Sequence, residues 1–332
     1  MKSKLDHLKD NIDTIGIKDY KAYEQNHRIY NESISDLMTT DSVPGEPTGL
    51  EAIKDLFSWK RGFQTLWTGS PNTGKSTMAM YTMLIKSMLS GSKWCVWSPE
   101  MEDSIIYEGK PKKTVKDLID LLAWTYLGMC PIRHFQDKYN LTPPLKDDLI
   151  MAYEFVKKHF YFVDVINRTP KGVLTSFKNV YELHGVDGYL LDPFKSVKQE
   201  ITGRSDLWLE DVLSSFKEFA LETNAFMNYV VHPKNRNLPK DEQGEYRVVI
   251  PEDLNGGAAW NNSMDLIISL RRLCGNDPNA TAMEWHTLKA RKQHLTCKRG
   301  SFVNIDFDFK TYRYLWNCVD PIFDRSLSTN VF

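Results

Sequence analysis

The stretch Gly69-Ser70-Pro71-Asn72-Thr73-Gly74-Lys75-Ser76 constrains this chain more than any other. Its spacing, G-x-x-x-x-G-K-[ST], is that of a loop that wraps phosphates. Such a loop points backbone N–H groups inward, and its glycines let the backbone come close to the anion. The N-terminus of the following helix adds the positive end of a dipole. The loop therefore needs a strand before it and a helix after it. Both are written here: the apolar run Phe-Gln-Thr-Leu-Trp-Thr-Gly ends at Gly69, and Gly74 to Leu89 has helical character. In this frame Lys75 reaches the β- and γ-phosphates and Ser76 ligates Mg²⁺. The expected ligand is ATP with Mg²⁺.

Strand and helix patterns alternate through most of the remaining chain. Lys-Trp-Cys-Val-Trp-Ser, Tyr-Phe-Val-Asp-Val, Gly-Tyr-Leu-Leu-Asp and Phe-Met-Asn-Tyr-Val-Val read as short apolar strands. Helical stretches are expected near 114–128, 145–159 and 170–184, and over the segment ending Phe-Ala-Leu-Glu-Thr. This alternation predicts an α/β fold, a mainly parallel twisted sheet covered by helices on both faces. Four late strand patterns joined by polar turns, beginning with Asp-Leu-Ile-Ile-Ser-Leu-Arg-Arg, predict a C-terminal antiparallel extension. The stretch Ser-Val-Pro-Gly-Glu-Pro-Thr-Gly-Leu marks a boundary. It separates an N-terminal helical segment, 1–45, from a main domain, 46–332. In the first, Leu5, Leu8, Ile12 and Ile15 have amphipathic spacing.

A net charge of −1 gives no global attraction to a polyanion, so such a site must be a local basic surface. The run Lys110 to Lys116 is a basic candidate and reads as the start of a solvated helix. Five cysteines without a C-x-x-C pair imply reduced thiols and no zinc site. The first residues carry no apolar run of a secretory signal. The longest apolar stretch, Leu118 to Met129, is too short for a bilayer, so no membrane partner is expected.

Further candidates follow from where strands end. Asp192 closes an apolar strand and would complete the magnesium shell. Glu100 ends the strand after the phosphate-loop helix, beside the expected γ-phosphate, where it would orient or deprotonate water. His232 ends a third strand, placed to touch the γ-phosphate and register its loss.

The order of these parts resembles the RecA-like motor domain of hexameric replicative DNA helicases, the superfamily of DnaB, Twinkle and the phage primase–helicases. The resemblance runs from about 45 to 318. It is carried by Thr48-Gly49-Leu50, by Gly69 through Ser76 and Thr77, and by Val-Trp-Ser-Pro-Glu-Met ending at Met101. It continues through Tyr-Leu-Leu-Asp-Pro, Val-Val-His-Pro-Lys-Asn, Asp253 to Arg272, and Leu-Lys-Ala-Arg-Lys-Gln. The resemblance implies a P-loop NTPase in which Glu100 is the catalytic base and His232 the sensor. It implies that Lys289 and Arg291 reach into a neighbouring subunit's site, and that Arg272 packs near the nucleotide base. It also implies a DNA-gripping loop over Asp253–Asn262. There Gly256 and Gly257 leave N–H groups open to phosphates, and Asn255 stands where relatives often carry arginine. Trp260 is either a buried anchor or a stacking platform. The implied partners are single-stranded DNA, other copies of the chain in a hexameric ring, and a primase on another chain. The implied location is the nucleoid or a phage-infected bacterial cytoplasm. The function so implied is an ATP-driven ring that translocates on single strands and unwinds duplex in replication. Two alternatives stay open: a RecA-like recombinase or loading ATPase that unwinds nothing, and a nucleotide-gated assembly module of slow turnover.

Overall fold

A computed structural model describes residues 42–100, 103–107, 110–199, 205–234, 238–242, 244–273 and 281–316. The chain divides into two compact units, Met1–Val43 and Pro44–Phe332. The expected N-terminal helical segment lies, through residue 41, outside the described residues. The features below belong to the second unit.

The strands begin with β1 (Gln64–Gly69) and β2 (Trp94–Trp97), followed by a hairpin of β3 (Asp103–Tyr107) and β4 (Lys110–Thr114). Then come β5 (Phe160–Phe162), β6 (Gly188–Leu191), β7 (Phe226–Val230), β8 (Leu266–Arg272), β9 (Ala282–Ala290), β10 (Ser301–Asp308) and β11 (Arg313–Leu315). Among the described residues, all but the hairpin form one sheet in the order β11-β10-β9-β8-β1-β7-β6-β2-β5. From β8 to β5 every pairing is parallel. From β8 outward to β11 every pairing is antiparallel.

The parallel strands are apolar on both faces because both faces are covered. Successive residues enter opposite cores: Leu66 and Trp67, Leu191 and Leu190, Ile267 and Ile268 each split between the two. One core gathers α1 (Lys75–Ser90), α2 (Lys116–Leu127) and α4 (Lys146–His159) around Phe57, Trp59, Trp67, Trp94 and Trp285. The other gathers α5 (Pro170–His184), α6 (Ser205–Glu222) and α7 (Gly257–Ser263) around Phe177, Tyr189, Phe216 and Trp260. Asn228 is a polar exception that is fully satisfied. Its Oδ1 accepts the Trp67 indole N–H at 3.1 Å, and its amide donates to Tyr189 O at 3.2 Å.

Two local expectations change. The basic run Lys110 to Lys116 meets a helix only at its last residue. Residues Lys110–Thr114 pair antiparallel with Asp103–Tyr107, and α2 begins at Lys116. The run Ile105, Ile106 and Tyr107 supplies β-favouring residues to the pair, and Pro111 sits where a two-stranded hairpin tolerates it. A short helix α3 (Arg133–Tyr139) also stands where no helix is legible from periodicity. Among the described residues, no helix is long and apolar enough to cross a membrane.

Candidate active site

The loop after β1 is shaped by backbone that few side chains permit. Gly69 has φ 149°, and a Cβ there would stand 2.3 Å from Leu270 O of β8. Asn72 and Gly74 have φ of 59° and 75°, and Gly74 is the N-cap of α1. Glycine and asparagine are the residues that enter this region at least cost. Thr73 Oγ1 donates to Ser70 O at 2.9 Å, and Lys75 Nζ donates to the same carbonyl at 2.8 Å. The loop is thus closed on itself, with Lys75 only 4% exposed. Burial brings the Lys75 pKa down to about 8, against the opposing pull of Asp192.

The parallel register brings the other candidates to this edge. Gly69 lies beside Leu270, Trp67 beside Val230, Leu191 beside Tyr229, and Trp97 beside Leu191. The chain segments leaving β1, β2, β6 and β7 therefore start from one end of the sheet, the carboxyl end where open α/β sheets hold ligands. Asp192 follows β6, is 3% exposed, and accepts Ser76 Oγ–H on Oδ1 at 3.0 Å. Ser98 Oγ stands 3.5 Å from its second oxygen. Burial, with Glu100 nearby, raises the Asp192 pKa to about 6, while Ser76, Lys75 and Ser98 oppose that rise. A buried carboxylate hydrogen-bonded to a loop hydroxyl is a hard oxygen pair suited to Mg²⁺, which takes few protein ligands and completes its shell with phosphate and water.

Glu100 follows β2 in a turn, with its side chain 46% exposed. One carboxylate oxygen accepts from Lys195 Nζ at 2.6 Å, and the other is 3.9 Å from His232 Nε2. Arg272 ends β8 at the same edge as the loop.

Lys289 and Arg291 are at the other edge. Lys289 lies beside Ile267, and the residue before Arg291, Ala290, lies beside Leu266, itself beside Thr65. From Thr65 to Gly69 is roughly 13 Å of strand at about 3.3 Å per residue. Lys289 Nζ donates to Asn261 O, and Arg291 Nη2 donates to Asn262 O, both at the end of α7. Arg291 Nη1 also approaches Asp265 at 3.5 Å. Asp265 is a junction, accepting Gln64 N–H at 2.9 Å and Lys217 Nζ at 2.6 Å.

The candidate DNA loop is tighter than expected. The Gly257 N–H is not open: it donates to Leu254 O at 3.1 Å. Gly256 has φ 70°, and a Cβ at Gly257 would fall 2.3 Å from Pro251 O, so both glycines answer to packing. Trp260 is buried against Phe194 and Tyr229, and its indole N–H donates to Asn255 O at 3.0 Å. It anchors the loop. Asn255 itself is exposed.

Sequence reasoning missed Ser98 and Lys195. Each stands within three residues of a strand-end carboxylate, which is the signal that places them in this cluster.

No protein-family profile matches the chain, and no curated protein matches it. Solved structures do. An ATPase domain of known structure superposes with a TM-score of 0.64 at 15% identity, over 92% of this chain and 98% of that one. A DnaB-like replicative helicase, described with its interactions with primase, gives 0.61 at 15% identity over 94% and 74%. The fold is that of DnaB-like, RecA-type helicase ATPase domains.

Proposed function

We propose that this protein is an ATP-driven, ring-forming motor that moves along single-stranded DNA and separates duplex in replication. The observation that carries the reading is the split between the two ends of the sheet. Ser76, Asp192, Glu100 and His232 cluster at the phosphate loop, whereas Lys289 and Arg291 lie at the far end. A cation so placed has no route to its own chain's phosphate, and a neighbouring chain's site is its natural target.

In this reading Lys75 and the loop N–H groups bind the β- and γ-phosphates. Ser76 and Asp192 hold Mg²⁺, which neutralises charge on the phosphates when bound. Glu100 accepts the proton of the attacking water, and His232 contacts the γ-phosphate until it leaves. Arg272 packs near the base. Lys289 and Arg291 of an adjacent copy stabilise charge on the transferring group. Asn255, with the Gly256–Gly257 turn, faces DNA. Residues 1–45 form a helical linker that joins copies of a motor domain, 46–332. The likeness to a helicase described with primase makes a primase on another chain a natural partner, and the cytoplasm its place of work.

One observation favours a second reading, a loading ATPase or recombinase that hydrolyses ATP without unwinding. Asn255 puts no cation in the loop, which weakens grip on a phosphate backbone.

The test is the steady-state ATPase rate of the purified protein with and without single-stranded DNA, at low and moderate salt, followed by strand separation of a forked duplex. Stimulation by single strands together with unwinding supports the motor. Stimulation without unwinding supports the second reading. Hydrolysis indifferent to DNA removes both.

A further inference from the structure

Glu100 has more company than a base needs. It sits in a turn, half-exposed, where a glutamate side chain ordinarily samples several rotamers. Among the described residues its neighbours are the Lys195 ammonium, 2.6 Å from Oε1, and the His232 imidazole, 3.9 Å from Oε2. Lys195 belongs to the 3₁₀ turn Phe194–Ser196, directly after Asp192 and Pro193. That turn is fixed from below. Phe194 is buried edge-on against Trp260 and Tyr229, and Ser196 N–H donates to Pro193 O at 3.1 Å. The lysine therefore rises from a rigid base beside the proposed magnesium carboxylate and ends on the proposed catalytic one.

An ion pair this exposed adds little to folding, because water and salt screen it and ordering two long side chains costs entropy. Its effect is orientation. We propose that Lys195 is a positioning residue for hydrolysis: its ammonium holds one oxygen of Glu100 and leaves the other facing His232, toward the attacking water. The inference rests on Glu100 being the base. It extends that reading by assigning a residue that sequence pattern does not mark. Lys195 donates hydrogen bonds throughout and gives up no proton; the water proton goes to Glu100.

The test measures kcat and KM for ATP hydrolysis in the full chain for Lys195→Ala, Lys195→Arg, Glu100→Gln and the double variant Lys195→Ala/Glu100→Gln. Binding of a fluorescent ATP analogue and melting temperature are followed in parallel. Loss of a held geometry is expected to lower kcat of Lys195→Ala roughly 10- to 100-fold with KM, nucleotide affinity and melting temperature little changed. Lys195→Arg recovers most of the rate. On the Glu100→Gln background the alanine adds no further loss, since a residue acting through Glu100 has nothing left to act on. Three outcomes overturn the proposal: wild-type kcat in Lys195→Ala, a rise in KM alone, or the same fold loss with and without Glu100. The two readings separate cleanly. Glu100→Gln at the wild-type rate removes the base assignment and the positioning role together. A dead Glu100→Gln beside a normal Lys195→Ala removes only the positioning role.

Discussion

The two ends of the sheet are built on opposite plans. At the carboxyl end of the parallel strands, polar groups are mostly buried and paired: Lys75 Nζ with the Ser70 carbonyl, Ser76 Oγ with the Asp192 carboxylate, and Ser98 alongside. At the other end, Lys289 is half-buried and Arg291 exposed; both donate to carbonyls at the end of α7, and Arg291 also stands 3.5 Å from the buried Asp265. The Ser76–Asp192 pair is already in place, whereas Lys75 would have to exchange the Ser70 carbonyl for phosphate in the proposed reaction. The second end keeps its guanidinium within reach of solvent.

The comparison breaks if both ends serve the same chain. Arg291→Ala is expected to cost about 10³-fold in ATPase rate, the scale of an arginine acting on phosphoryl transfer, with nucleotide affinity intact. Mixing Arg291→Ala chains with Glu100→Gln chains should then restore activity, because each supplies what the other lacks across a shared boundary. An inactive mixture that still assembles would place the arginine in its own site. Glu100→Gln alone should lower the rate about 10²-fold or more while ATP still binds, as checked by single-turnover hydrolysis. A smaller effect comes from pH. Asp192 takes up a proton as pH falls through about 6, and protonation displaces magnesium. Lys75 loses its charge as pH rises through about 8 and its hold on phosphate with it. Affinity for ATP–Mg²⁺ should therefore peak between these values and fall up to about tenfold per pH unit beyond them, as read by isothermal titration. For Asp192 alone the sign for stability is the reverse of the usual carboxylate. Its folded pKa lies above the unfolded one, so melting temperature without nucleotide should decline from about pH 4 to about pH 6. The smallest effect is at the loop. Asn255→Arg should tighten single-strand binding a few-fold and steepen the log–log salt dependence by roughly 0.7, one added phosphate contact.

The parallel half of the fold was legible because its strands are short, mostly apolar runs followed by polar or glycine residues. Gly69, Glu100, Asp192 and His232 could be named as candidates from position alone, since in this architecture the end of a strand is an address. The hairpin Asp103–Thr114 was not legible. Its second strand is mostly lysine, and its pairing is a tertiary fact that charge conceals. Gly257 misled for a related reason. A glycine pair suggests backbone offered to a ligand, yet Pro251 O occupies the space a Cβ would need and Leu254 O takes the N–H. Lys195 escaped notice because its nearness to Asp192, three residues before it, does not say where its ammonium ends until the turn beneath it is known.

Strand β8 touches both plans. Its Leu270 carbonyl lies against Gly69, and Asp265, just before its first residue, gathers Gln64, Lys217 and Arg291. An extended strand has no slack to give, so the five residue steps from Asp265 to Leu270 act as a gauge of fixed length, roughly 17 Å. Any assembly that delivers one copy's guanidinium to the next copy's phosphate must repeat at a spacing this gauge allows. In the ring proposed above, the reach from one copy to the next would then be limited in part by the length of one strand.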